Sequence, residues 1–110
     1  MSFNIQEIMQ KAKEMQSRMK HVDDELSKIE VTGESGAGMI KITMSCKHDA
    51  SNIDISDTAM QENKEILQDL ILAAINDANR KIAAATKNRL SDLSQELGIP
   101  TDALEGQLGD

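Results

Sequence analysis

The chain has 110 residues and 12.1 kDa, the size of one domain with one core. Its 19 acids against 12 bases give a net charge of -7, so any affinity for nucleic acid must be local rather than a property of the average surface. One aromatic residue, Phe3, excludes the stacking platforms on which most single-strand and RNA modules hold bases, and the seven Met supply soft apolar bulk instead. The lone Cys46 excludes a disulfide framework and a thiolate metal site and makes a reducing, cytoplasmic compartment the default. The longest aliphatic run, Leu70 to Ile75, is far shorter than the roughly 20 residues that span a bilayer, and the first twenty residues lack the apolar stretch of a signal peptide.

The first segment, Ile5 to Ile29, places Ile5, Ile8, Ala12, Met15, Met19, Val22, Leu26 and Ile29 at alternating steps of three and four. That spacing predicts a helix with one apolar stripe, serving either an intramolecular seam or an intermolecular coiled coil. Glu7 with Lys11, Glu14 with Arg18 and Asp24 with Lys28 stand one turn apart, acid first, the favourable order on an exposed face.

The period then changes to two. Met39 to Cys46 sets Ile40, Ile42, Met44 and Cys46 against Lys41, Thr43, Ser45 and Lys47, which predicts a half-buried strand. Shorter strands are expected at about Ile29 to Thr32 and Asn52 to Ile55. The Gly33 to Gly38 connector and the Lys47 to Ser51 loop complete an antiparallel meander of three strands.

The last regular segment is predicted as a helix from an N-cap at Asn63 to Leu97, stopped by Gly98 and Pro100. Its apolar residues drift out of heptad register after Ala78, and between Leu70 and Ile75 the helix is apolar all round. One face of a sheet cannot cover such a stretch, so Leu70, Ile71, Ala74 and Ile75 are the expected core of a homodimer. Helices of roughly 37 and 52 Å must project beyond a compact domain whose radius of gyration would be about 13 Å. The fold class is therefore α+β: long helix, three-stranded antiparallel sheet, long helix, as a single domain over 1–98. The acidic tail over 99–110 is expected to be mobile.

Charge is unevenly placed along the chain. The sheet region over 30–62 holds 2 bases and 6 acids, whereas Ile8 to Val22 holds Lys11, Lys13, Arg18 and Lys20 against Glu14 alone. Ala78 to Ser91 holds Arg80, Lys81, Lys87 and Arg89 with no acid. Doubled by a two-fold axis, these windows form basic patches that can straddle a phosphate backbone, although ordinary solvated helix faces look the same in sequence.

Other features carry no chemistry of their own. The glycine-rich connector leads into a strand and lacks the Lys-Ser or Lys-Thr of a phosphate loop. His21 and His48 have no second ligand at metal spacing, Ser35 has no general base in view, and Cys46 reads as a small buried hydrophobe. No enzyme activity, cofactor, metal, membrane or small-molecule substrate is expected.

The run Glu30-Val31-Thr32-Gly33-Glu34-Ser35-Gly36-Ala37-Gly38, the alternating strand Met39 to Ser45, and Leu67-Gln68-Asp69-Leu70 through Ala73-Ala74-Ile75-Asn76-Asp77-Ala78 resemble the YbaB/EbfC family of bacterial nucleoid-associated proteins. The resemblance covers about residues 5 to 90. It implies a homodimer with projecting helices arranged like tweezers, binding duplex DNA and influencing nucleoid organisation and gene expression from the cytoplasm and nucleoid. The chain departs from many relatives at Ser45-Cys46 and Ser51-Asn52, where an Asn-Gly turn and a basic pair are common, and at Ser56-Asp57 in place of Asp-Pro. That shifts the expected DNA contact from the sheet to the helices. Helix, hairpin and helix also resemble a prefoldin-like subunit, which would instead bind protein through exposed apolar helix tips.

Overall fold

Ile5–Lys28 forms α1, opened by the Asn4 side chain, which accepts a hydrogen bond from the Gln6 backbone N–H at 3.0 Å. The structure, a computed structural model, describes residues 4–98; Phe3 and the tail lie outside the described residues. At Ile29 the backbone turns extended and feeds β1 (Glu30–Ser35), β2 (Ile40–Ser45) and β3 (Ala50–Ile55), an antiparallel meander in sequence order. After a four-residue helix α2 (Asp57–Met60), α3 runs from Lys64 to Leu97.

Directly opposed residues share a face of the sheet. The pairs Val31↔Met44, Gly33↔Ile42 and Ser35↔Ile40, continued by Ile42↔Ile53 and Ile40↔Ile55, therefore define one apolar side. The first half of α3 lies on it, across β1 and β2. Its approach is closest at Gly33, where a Cβ would stand 2.2 Å from the Ala74 carbonyl oxygen and 2.6 Å from the Ala78 Cβ. Only a residue without a side chain lets helix and strand meet so closely.

This close approach explains where the sequence expectation for β1 fell short. Gly33 is a strand residue under the helix, so β1 continues to Ser35, and the turn narrows to Gly36, Ala37 and Gly38, all with positive φ. Hydrogen bonds from Gly38 N to Ser35 O (3.1 Å) and Met39 N to Gly36 O (3.2 Å) close it. The second loop is also shorter than expected: β3 starts at Ala50 after an irregularity between Thr43 and Met44. The Ser45 hydroxyl there accepts from the backbone N–H groups of Lys47 and Asp49. The helix α2 has no sequence signal beyond its cap, since four residues show no period; Ser56 Oγ accepts from Ala59 N at 3.1 Å.

The ends of α3 fall where the caps predicted. Asn63 Oδ1 accepts from Ile66 N at 2.9 Å, and Gly98 takes the left-handed conformation at φ 67°. Beyond the sheet, the second half of α3 pairs antiparallel with α1. Met19, Val22 and Leu26 are buried in one cluster with Ile82, Leu90 and Leu93. The α1 stripe is thus an intramolecular seam over its C-terminal half, and the two helices form a hairpin projecting from the sheet. The molecule measures 71 × 19 × 18 Å with a radius of gyration of 19.3 Å, well beyond the value of about 13 Å for a compact chain of this length. Because α3 stops at Leu97, the N-terminal part of α1 overhangs, with Ile5 70%, Ile8 51% and Met9 55% exposed.

Candidate nucleic-acid interface

The eight cations singled out in the sequence divide into two groups. Four are engaged. Arg18 reaches Glu96 across the hairpin at 3.3 Å, rather than Glu14 on its own helix, and Arg89 Nε donates to Glu25 Oε2 at 2.7 Å. Lys81 Nζ donates to the Thr32 carbonyl at 2.7 Å and lies 3.0 Å from Asp77 Oδ2, and Arg80 stands 3.5 Å from Asp77 Oδ1. The other four, Lys11, Lys13, Lys20 and Lys87, are exposed and make no ion pair or side-chain hydrogen bond with any described residue.

Glu25 and Asp77 organise the engaged group. The hydrogen bond from Arg89 holds the Glu25 carboxyl below the usual carboxylate range, and the same bond raises Arg89. Glu25 also receives His21 Nε2 at 2.9 Å. Asp77 is lowered first by the backbone N–H of Glu34, which donates to Oδ2 at 2.8 Å, and then by Lys81. β1 is an edge strand, so the Glu34 N–H and the Thr32 C=O face away from β2; Asp77 and Lys81 satisfy both. Glu34 belongs to the glycine-rich run Glu30 to Gly38 and Asp77 to the helical run Leu67 to Ala78, and the two runs meet here in space. No sequence spacing announces that meeting, because 43 residues separate them.

The sheet side contributes little positive charge. Lys47, in the turn after β2, is bound to Asp23 of α1. Lys41 is exposed on β2 and lies opposite Asp54 in the β3 register.

The residues expected at a dimer core are spread around α3. Ala74 is fully buried within the chain against the sheet, and Leu70 and Ile71 are half-buried. Ile75 is 36% exposed, beside Leu72 at 57%. Ile71 and Ile75 line an open apolar groove with Ile42, Met44, Ala50 and Ile53, on the part of the sheet that α3 leaves uncovered. Sequence reasoning missed Ile53, whose alternation in a six-residue strand, ASNIDI, is weak.

Ser35 and Cys46 have structural roles. Ser35 Oγ donates to the Leu70 carbonyl at 2.6 Å, and burial pushes the Cys46 thiol up. Among the described residues no cluster of three or more His, Cys, Asp or Glu could hold a metal ion, and no helix is long and apolar enough to cross a membrane.

Comparison with known proteins agrees with this architecture. A crystal structure of an uncharacterized protein from Helicobacter pylori superposes with a TM-score of 0.73 at 17% identity, covering 84% of this chain and 98% of the other, which shows a shared fold. A nucleoid-associated protein of Legionella pneumophila (strain Corby) is 45% identical over 107 residues, 97% of this chain and 96% of the relative. One from Coxiella burnetii (strain Dugway 5J108-111) is 44% identical over 96 residues, 87% of each chain. Residues 1–97 match the YbaB/EbfC DNA-binding family, and the chain belongs to that family.

Proposed function

We propose that this protein is a non-enzymatic, nucleoid-associated protein that binds duplex DNA as a homodimer and so influences nucleoid organisation and gene expression. The observation that carries the reading, beyond family membership, is that Lys13, Lys20 and Lys87 stand on a projecting helical hairpin with no acidic partner among the described residues. A second copy, packed on the groove between Ile53 and Ile75, covers the apolar surface that α3 leaves open and doubles the hairpins about a two-fold axis. Affinity then comes from ammonium groups meeting phosphates with release of counterions. The relatives' description as nucleoid-associated supports a place on the chromosome, in the cytoplasm.

A gel-shift titration of duplex DNA at several salt concentrations tests the reading. Binding that weakens steeply as salt rises is expected; no shift even at low salt contradicts it. Exposed Ile5, Ile8 and Met9 favour the other reading, a prefoldin-like protein-binding or assembly module that uses the helix tips. In that case Ile5→Ser with Ile8→Ser would abolish partner binding, and DNA would never shift.

A further inference from the structure

The charges of the hairpin are sorted by side. Successive residues of a helix are 100° apart, so Glu7, Lys11, Glu14, Arg18 and Glu25 fall on one side of the α1 stripe Met15, Met19, Val22 and Leu26. The ion pairs Arg18 to Glu96 and Arg89 to Glu25 show that this side of α1 meets the side of α3 bearing Arg89 and Glu96, with Asp92 next to them. Lys13 and Lys20 fall past the other edge of the α1 stripe, on the outward face of the helix. Lys87 falls on the corresponding side of the Leu90, Leu93 and Leu97 stripe, where its neighbours are Ser91 and Ser94. Two acids lie near them: Asp23, which is held by Lys47, and Asp24, which shares the outward face of α1 one turn from Lys20 and is not ion-paired with it.

We propose that this lysine side, Lys13 and Lys20 of α1 with Lys87 of α3, is the surface on which the hairpin seats the phosphate backbone of duplex DNA, while the acid-bearing side is turned away from it. The inference rests on the DNA-binding function proposed for the chain and adds which side of the hairpin meets the duplex. Three features of the molecule support it. The lysines are exposed and unpaired with described residues, whereas both arginines on the other side tie the hairpin together. Most of the hairpin's acids, Glu7, Glu14, Glu25, Asp92 and Glu96, collect on the other side, where phosphate would be repelled. The spacing also suits a backbone. Lys13 and Lys20 are about 10 Å apart along the axis. The antiparallel register set by the two ion pairs puts Lys87 level with Ser27, about 10 Å further on. Over that length each DNA strand presents a phosphate about every 3.4 Å, so three flexible ammonium groups can reach separate phosphates.

Lys11 and Lys13 make the decisive comparison, because they are two residues apart on one helix, both exposed, and on opposite sides. Anisotropy titrations of a fluorescent duplex compare the wild type, Lys11→Glu, Lys13→Glu and the triple variant Lys13→Glu, Lys20→Glu, Lys87→Glu, with helicity and sedimentation recorded for each. The expected result is Lys11→Glu within about twofold of wild type and Lys13→Glu several-fold weaker. The triple variant should be weaker on the order of 100-fold, its plot of log affinity against log salt flatter by about 0.9 for each phosphate that no longer meets a lysine. Equal losses for Lys11→Glu and Lys13→Glu, or wild-type affinity in a folded triple variant, would overturn the side assignment while leaving DNA binding intact. A wild type that fails to bind at low salt would overturn the DNA reading and this inference with it. Should the triple variant unfold, the two single variants decide, since neither residue belongs to the buried seam.

Discussion

Gly33 shows how one residue fixes the relation between helix and sheet. A Cβ there would collide with backbone, the Ala74 carbonyl and the Ala78 nitrogen, neither of which can swing aside as a side-chain end could. Gly33→Ala should therefore destabilise the fold by about 1–3 kcal/mol, the usual cost of overpacking, read as a lower urea midpoint. An unchanged midpoint would mean that α3 lifts from β1 at little cost. Asp77 and Glu25 act at the same scale through charge. Both carboxyls titrate below their ordinary values, so folding favours their ionised forms. Their contribution is present above the usual carboxylate range near 4 and is lost as pH falls through the depressed folded values. Acid should thus lower the urea midpoint below about pH 4, and Glu25→Gln with Asp77→Asn should make that decline shallower. An identical acid limb in the double variant would show that other groups govern it.

At the scale of elements, the two ion pairs and the Met19, Val22, Leu26 seam hold α1 against α3. The Arg89 to Glu25 pair is the less exposed of the two, so Arg89→Ala should speed amide exchange in α1 around Glu25 and leave the sheet protected. Exchange that rises equally in β2 would mean that hairpin and sheet open as one unit. Much at this scale is legible in the sequence. The three-four steps mark α1, Asn63 and Gly98 bound α3, and alternation marks β2, because each signal is local. β1 is cut short in a sequence reading because Gly33 looks like a turn until the helix above it is known. Of the pairs expected within α1, Glu14 with Arg18 gives way to a cross-hairpin partner for the same reason: Arg18 has Glu14 one turn away in sequence, but Glu96 only in space. The basic windows are legible as composition; which lysines remain unpaired, and on which side, depends on that tertiary pairing.

For the whole molecule, a net charge of -7 opposes DNA until the charges are located: most acids on the sheet and on one side of the hairpin, and Lys13, Lys20 and Lys87, unpaired among the described residues, away from that side. The proposed dimer is probed most cleanly at Ile75. Ala74 is buried within its own chain, and Ile71 packs partly against its own core, so a charge at either would also disturb folding. Ile75→Asp should yield a folded monomer in sedimentation equilibrium at micromolar concentration, where the wild type should be a dimer. A wild type that is monomeric there would remove the groove as a dimer interface. Dimer and DNA are joined in one measurement, sedimentation of a fluorescent duplex titrated with the protein at about 50 mM salt. Two 12.1-kDa chains should travel with the duplex at saturation and dissociate as salt is raised. A duplex that sediments alone in excess protein, or a complex indifferent to salt, would contradict the account.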